Sequence, residues 1–206
     1  MTQVKTPPQL IRCPWTGIED GEYTRYHDEE WGVPNADDVR LFEKLILEGF
    51  QSGLSWLTIL KKRPNFRQAF HDFDAERIAR FTDTDKARLM ADAGIIRNRL
   101  KIEAAVDNAR AFLKLQDRTS LSAFLWGHLD GRPIIHQRRQ FQEVPAQTEL
   151  SVTISKALKT EGFRFVGPTT IYAFLQSSGF VNDHLVTCHR HAPCATLQRA
   201  FKAPIR

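Results

Sequence analysis

With 206 residues, 42% of them hydrophobic, the chain is long enough to bury one sizeable core and does not have the composition of a disordered segment. Its 29 basic against 24 acidic side chains give a net charge of +5, which permits a polyanionic partner without demanding one. No run approaches the ~20 continuous apolar residues of a membrane span, and the opening M-T-Q-V-K-T-P-P-Q-L lacks the apolar segment of a signal peptide. The expectation is a cytoplasmic protein without membrane association. Three cysteines are an odd number, which disfavours a disulfide framework and leaves metal binding as the usual role of a Cys/His cluster in a reducing compartment.

Residues 1–10 read as a short flexible extension, since Pro7-Pro8 discourages regular structure. The apolar stripe Val39, Leu41, Phe42, Leu45 and Ile46, preceded by Asp37 and Asp38 as caps, predicts a helix. Trp56, Ile59 and Leu60 predict a short continuation that Pro64 ends. Asp74 and Asp83 each open a short helix. A longer one runs from about Arg97 to Leu115, burying Ile102, Ala105, Val106, Ala109, Phe112 and Leu113. After a short piece at Leu121–Trp126, residues 127–150 hold two glycines and two prolines and read as a long connection, with a brief extended stretch at Ile134-Ile135. Helix returns over Ser151–Thr160, closed by Gly162 in the left-handed region. A last helix starts near Thr169, with Pro168 in its first turn, and ends before Gly179. The class is all-α. The organisation read from the sequence is one unit over 11–190 and a basic C-terminal tail over 191–206, where Arg199, Lys202 and Arg206 face no acid.

The pair of helices around Gly167 is joined by a tight Gly-Pro turn. Backbone amides from Val166 through Gly167, Thr169 and Thr170 sit at a helix N-terminus, where orphan donors and the helix dipole favour phosphate. Lys156, Lys159 and Arg164 flank the turn. One reading is a helix-hairpin-helix gripping a DNA backbone without reading its sequence; a plain αα-hairpin is the commoner object and, on this segment alone, the favoured reading.

Cys13 and His27 near the start of the chain, with His184 and Cys188 near its end, can form one tetrahedral zinc site. His184 and Cys188 at i and i+4 would share a helical face. Four protein ligands leave no open position, so the ion would be structural, stapling the terminal segments together. The alternative is two small buried cysteines and two surface histidines, and His189, His191 and Cys194 are rival ligands.

Trp15, Tyr23, Tyr26 and Trp31 cluster around the first of those pairs. Glu48, at the end of the first long helix, and Trp56 lie close by in sequence. A carboxylate among aromatic rings can accept hydrogen bonds from the amino group of a base, and an indole offers a stacking face. Gly53 and Leu54 lie in a polar loop whose apolar tip can wedge into a duplex and hold the gap left by a flipped nucleotide. Taken singly, they are better read as a solvated Glu, a core Trp and a Leu capping the core. Their clustering carries the joint reading.

In these residues the chain resembles the 3-methyladenine DNA glycosylase I family, the constitutive bacterial alkylation-repair enzymes. The likeness runs from about Ile11 to Cys188. It rests on R-C-P-W, Y-T-R-Y-H-D-E-E-W-G-V-P, L-F-E-K-L-I-L-E-G-F-Q-S-G-L-S-W, A-G-I-I-R-N-R-L-K-I, and F-R-F-V-G-P-T-T-I-Y followed by G-F-V-N-D-H. The resemblance implies a helix-hairpin-helix glycosylase fold with a zinc-stapled lobe joining the N- and C-terminal segments. One structural Zn(2+) would be bound by Cys13, His27, His184 and Cys188. It implies that Glu48 recognises the extruded base, that Trp56 stacks on it, and that Tyr26 and Tyr23 complete the pocket with Trp15 and Trp31 as wall. Leu54, next to Gly53, would be the duplex-inserting residue. The implied activity is hydrolysis of the N-glycosidic bond of 3-methyladenine in alkylated double-stranded DNA by a monomer. It would proceed by base flipping and release the free base without a lyase step. In V-N-D-H, Asn182 stands where other helix-hairpin-helix glycosylases carry a catalytic Asp, as in the family itself, and Asp183 receives no catalytic role. Phe50, where Gln is more usual, departs from the pattern and is expected to alter the loop near the lesion. A zinc-stabilised DNA-binding module without catalysis is the alternative. A metal-dependent hydrolase is a third reading, which the closed ligand set opposes.

Overall fold

The computed structural model describes residues 10–15 and 21–204; apart from Leu10, the extension expected over 1–10 lies outside that range. Among the described residues ten α-helices build the architecture: α1 (Gly21–Glu29), α2 (Asp38–Gln51), α3 (Trp56–Ala69), α4 (Ala75–Ala79), α5 (Asp83–Ala91), α6 (Arg99–Gln116), α7 (Leu121–Gly127), α8 (Glu149–Thr160), α9 (Pro168–Ser177) and α10 (His191–Ala200). The short strands β1 (Ile134–Ile135) and β2 (Val181–Asn182) pair in parallel, Ile134 opposite Val181. The extended stretch expected at Ile134-Ile135 is therefore β1, and its partner follows α9 directly.

Side-chain caps set where most helices begin. Asp37, Ser55, Asp74, Thr82, Asn98, Ser120 and Thr148 each accept a backbone N–H from the first turn of the helix they open, a contribution of about 1 kcal/mol apiece. Asp38 does not cap its own helix. Its carboxylate accepts from the backbone N–H groups of Leu121 and Ser122 at 3.2 and 2.7 Å, which ties the start of α7 to the start of α2. Pro64 does not end α3, contrary to expectation. The helix runs on because Phe66 and Ala69 beyond it are buried with Phe70. Burying each phenylalanine is worth about 1.5–3 kcal/mol, enough to offset the ~3 kcal/mol cost of an interior proline.

The main core forms around α2. Leu41, Phe42, Leu45, Ile46 and Phe50 all face inward and meet α3, α6, α7 and α9. Phe50 packs edge-on against Phe66 at 4.8 Å and lies 5.8 Å from Phe70. It belongs to this core and not to the loop where its unusual identity was expected to act. A second, smaller cluster joins Cys13, Tyr26, Trp31, Leu60, Leu185 and Cys188, so the two ends of the chain meet there. Residues 191–200, expected as part of a basic tail, instead form α10, which buries Cys194, Ala195 and Gln198. Gln198 donates to the carbonyls of Gly32 and Gly179, both at 3.1 Å. The sequence hid this helix because its buried face carries polar and small residues instead of a leucine stripe. Gly179 closes α9 at φ +73°, and a Cβ there would lie 2.2 Å from the backbone of Val33. Only glycine lets α9 end against the 33–34 segment. Among the described residues no helix is long and apolar enough to cross a membrane.

Candidate active site

Cys13, His27, His184 and Cys188 are all buried, and their ligand atoms lie within 4.8 Å of one another. Cys13 Sγ is 3.7 Å from His184 Nδ1, while Cys188 Sγ is 3.4 Å from His27 Nε2 and 3.5 Å from His184 Nδ1. A tetrahedral ion with bonds of ~2.3 Å to sulfur and ~2.0 Å to nitrogen requires S···N edges of roughly 3.5 Å. The four residues therefore fit such an ion. The other ring nitrogens are engaged, as metal-binding histidines require. His27 Nδ1 pairs with Asp28 at 2.7 Å and His184 Nε2 with the Trp31 carbonyl at 3.0 Å. Burial lowers the His184 pKa and favours the neutral ring that a metal needs. The rivals are occupied elsewhere: His189 on the Ile11 carbonyl, His191 on the His136 carbonyl, and Cys194 beside the Trp31 carbonyl. His27 lies on α1, whereas His184 and Cys188 lie on the turn after β2 and not on the helical face expected of them.

Beside this cluster lies a cavity of about 380 Å³. Trp15, Tyr23, Tyr26, Trp31, Glu48 and Trp56 all line it. The sequence had proposed these six from their clustering and from the family resemblance. Tyr23 and Tyr26 arise from successive turns of α1, with ring centroids 6.4 Å apart, and Trp56, the first residue of α3, lies 5.6 Å from Tyr26. Trp15 stands edge-on to Trp31 at 4.9 Å. The indole N–H of Trp56 is buried without an acceptor among the described residues, an unpaired donor on a residue of the cavity wall.

Glu48 reaches the cavity from the last turn of α2 and is 3% exposed. Its one hydrogen-bond donor among the described residues is the Ser177 hydroxyl, 3.0 Å from Oε1. Burial raises its pKa to about 7, although the Lys44 charge and the Ser177 bond pull it the other way. Burial and the nearby Glu48 together raise Tyr26 well above its ordinary value, so the phenol stays protonated. The site thus offers a carboxyl poised near neutrality and a row of aromatic faces.

Asp183 also borders the cavity, with a side chain fully shielded from solvent. It accepts from Tyr172 at 2.5 Å and Gln176 at 2.8 Å, pairs with His136 at 2.6 Å, and has Arg138 at 3.4 Å. Burial pushes its carboxyl up, but the bonds from His136, Tyr172 and Gln176 outweigh that and hold it below its ordinary value. Its neighbour Asn182 is spent on the backbone, donating to His191 O and accepting from His184 N.

Gly53 (φ +82°) and Leu54 form the tip of the loop between α2 and α3, with Leu54 39% exposed. Lys101 anchors this loop from α6, donating to the carbonyls of Phe50 at 2.8 Å and Ser52 at 2.7 Å. Gly167 caps α9, Thr169 and Thr170 follow in its first turn, and Ser155 Oγ fixes the turn by donating to the Val166 carbonyl at 2.6 Å. The turn sits on the end of α2, where a Cβ on Gly49 would lie 3.3 Å from that of Phe165.

Residues 15–191 match the methyladenine glycosylase family. The chain belongs to that family. The DNA-3-methyladenine glycosylase of Haemophilus influenzae is 48% identical over 186 residues, covering 90% of this chain and 98% of that one. A crystal structure of a 3-methyladenine DNA glycosylase I superposes with a TM-score of 0.86 at 48% identity, over 88% of this chain and all of that one. The Staphylococcus aureus enzyme, solved for the structural basis of 3-methyladenine recognition, gives 0.82 at 40% identity, over 85% and 94% of the two chains.

For a methyladenine glycosylase, the sequence missed several residues that shape the site. Ser177, Gln176 and Lys44 lie on helices where nothing in their spacing marks them as different from packing residues. Phe141 and Val144, inside what read as a plain connection, form part of the cavity wall. Only the polar run V-N-D-H offered a signal for Asp183, and its partners His136, Arg138 and Tyr172 are scattered too widely in the chain to be grouped by eye.

Proposed function

We propose that this glycosylase hydrolyses the N-glycosidic bond of 3-methyladenine in alkylated double-stranded DNA, releasing free base and leaving an abasic site. The observation that carries the reading is a single one: Glu48, a buried carboxyl poised near neutral pH, borders an aromatic cavity with room for a purine. N3-methylation places positive charge on the base, so the bond is already weak and the base departs neutral. The enzyme's task is then to extrude the base, hold it and stabilise charge at the sugar. Trp56, Tyr26 and Tyr23 supply stacking faces that suit a cationic ring, with Trp15 and Trp31 as walls. Ionised Glu48 accepts from the base and offsets positive charge as the bond breaks. Water completes the hydrolysis, and the reaction is monofunctional.

Extrusion is assigned to Leu54 at the Gly53 turn, which wedges into the duplex once the nucleotide flips. The α8–α9 pair acts as a helix-hairpin-helix, its amides at Gly167, Thr169 and Thr170 holding backbone phosphate. Cys13, His27, His184 and Cys188 bind one structural zinc, whose part is to fasten the ends of the chain beneath the aromatic wall. The catalytic unit is a monomer spanning 11–190 together with α10.

The test is chromatographic release of free base from methylated duplex DNA by wild type and Glu48→Gln. Release of 3-methyladenine that falls at least tenfold in the variant is the expected result, about the scale of one lost charged contact in a transition state. Folded protein that binds DNA yet releases no base would overturn the reading in favour of a non-catalytic DNA-binding module.

A further inference from the structure

Lys44 lies one helical turn before Glu48 on α2, so the two side chains leave the same face. It does not line the aromatic cavity. It borders a second, polar cavity of about 410 Å³, shared with Glu30, Arg63, Ser177 and Ser178. The Tyr26 and Trp56 rings stand between, with the Lys44 ammonium 4.9 Å from the first centroid and 5.7 Å from the second. That ammonium is buried and has no hydrogen-bond acceptor among the described residues. Its nearest anion, Glu30, is 3.6 Å away and already engaged by Arg63 at 2.6 and 2.7 Å. A buried cation with so incomplete a shell is costly, and packing alone would be better served by Met or Leu.

We propose that Lys44 is a positioning residue for Glu48: from behind the aromatic wall, its ammonium favours the ionised carboxylate that the reaction uses and so partly offsets the effect of burial. The inference rests on the role given to Glu48 above. The other groups around Glu48 do not do this work. Tyr23 and Tyr26 from α1 present neutral phenols, and Ser177 from α9 contributes one hydrogen bond. Arg63 on α3 is spent on Glu30, Lys101 on α6 is bonded to the Phe50 and Ser52 carbonyls, and Asp183 across the cavity adds negative charge that would disfavour ionisation. Among the described residues, Lys44 is the charge that lowers the Glu48 pKa. The arrangement also keeps the cation off the stacking faces, where it would meet a cationic base directly.

The experiment is a carboxyl-carbon NMR titration of Glu48 in the free protein, its resonance assigned by its loss in Glu48→Gln, run beside the pH profile of 3-methyladenine release. Lys44→Met should raise the Glu48 midpoint by roughly one pH unit, as expected for one charge removed at this range in a partly polar interior. The acid limb of kcat/KM should follow it, and Lys44→Arg should restore both. Glu30→Gln, which leaves Lys44 uncompensated, should move the midpoint the other way and guards against a Lys44→Met protein that fails to fold. A Glu48 midpoint unmoved in folded Lys44→Met overturns the proposal, and an equal gain or loss of release at every pH alongside it would make Lys44 only a repulsive or packing charge. If the carboxyl midpoint moves and the acid limb does not follow, the coupling stands and the catalytic role of Glu48 fails instead.

Discussion

The Ser177 hydroxyl lies 3.0 Å from Glu48 Oε1 and 3.1 Å from the Phe174 carbonyl, so its single proton has two acceptors. When Glu48 is ionised the proton serves the carboxylate. When Glu48 is protonated, the carboxyl donates to Ser177 and the hydroxyl turns to Phe174. One serine therefore satisfies both charge states of a buried acid, which suits a group that titrates near the working pH.

This relationship sets a pH dependence. Glu48 titrates at about 7 in the free protein, and the reaction as proposed uses the ionised form. Base release measured as kcat/KM should fall as pH drops through about 7, tending toward tenfold per unit below it. Ser177→Ala removes the hydroxyl that stabilises the anion and should move the acid limb to higher pH, leaving the plateau at pH 9 within a few-fold of wild type. An acid limb that stays in place in Ser177→Ala, or a profile flat from pH 5 to 9, would remove Glu48 ionisation from the mechanism.

Stability should run the opposite way. The folded-state pKa of Glu48 lies above its ordinary value of 4.5, so the folded protein binds the proton more tightly than the unfolded chain. The associated stability is fully present below pH 4.5 and is lost as pH rises through about 7. The cost above pH 7 is on the order of 3 kcal/mol at 1.36 kcal/mol per pH unit. Glu48→Gln, which needs no proton, should melt several degrees higher than wild type at pH 8, and the gap should close near pH 4.5. Identical melting curves at both pH values would show that Glu48 is not under strain. With release reduced and stability gained, the variant would display an acid kept for function at the expense of the fold.

Leu54 and Trp56 should fail in different ways, because they are assigned to different partners. Trp56→Ala removes a stacking face and should weaken binding of free 3-methyladenine by roughly 10- to 100-fold, the worth of one base–aromatic contact. Leu54→Ala leaves the cavity intact. It should bind the free base normally yet release it more slowly from duplex DNA, with most of the loss recovered on an unpaired lesion that is already easy to extrude. Isothermal titration with 3-methyladenine and release assays on paired and unpaired substrates separate the two. Equal loss of free-base affinity in Leu54→Ala would place that residue in the pocket.

The parts of the molecule that the sequence disclosed are those with a local physical signature. Asp37 before an apolar stripe, Pro168 at a helix start and Gly162 after a helix end each act within one turn of the chain. The six aromatic and acidic residues of the cavity could be proposed because they fall in two short stretches, 15–31 and 48–56, that also carry the family resemblance. Where burial depended on distant partners, sequence was silent or misleading. Pro64 looks like a stop until Phe66 and Phe70 are seen to be buried beyond it, and Phe50 looks like a loop variation until Phe66 is found against it. α10 has no apolar stripe, because its buried face donates to Gly32 and Gly179 instead. Cysteine and histidine ligands could be proposed by residue type, but only the folded chain separates Cys13, His27, His184 and Cys188 from Cys194, His189 and His191.

The metal group provides the last prediction. One zinc per chain should be found by native mass spectrometry, since S···N spacings of 3.4 to 3.7 Å suit a tetrahedral ion. Chelation should lower the melting temperature, because it unties the segment around Cys13 from the turn around Cys188, and those two carry opposite ends of the aromatic lobe. Base release should decline only in step with the unfolded fraction, because four protein ligands would leave no open coordination position for a reacting water. Asp28→Ala offers a finer test. Asp28 holds His27 Nδ1 at 2.7 Å and is itself clamped by Arg12 at 2.7 Å. Loss of that second contact should weaken zinc affinity by roughly 10- to 100-fold, as outer-sphere losses elsewhere do, while the metal-loaded protein retains normal release. Immediate and complete loss of release on chelation, in protein whose circular dichroism is unchanged, would instead make the ion a participant in the chemistry.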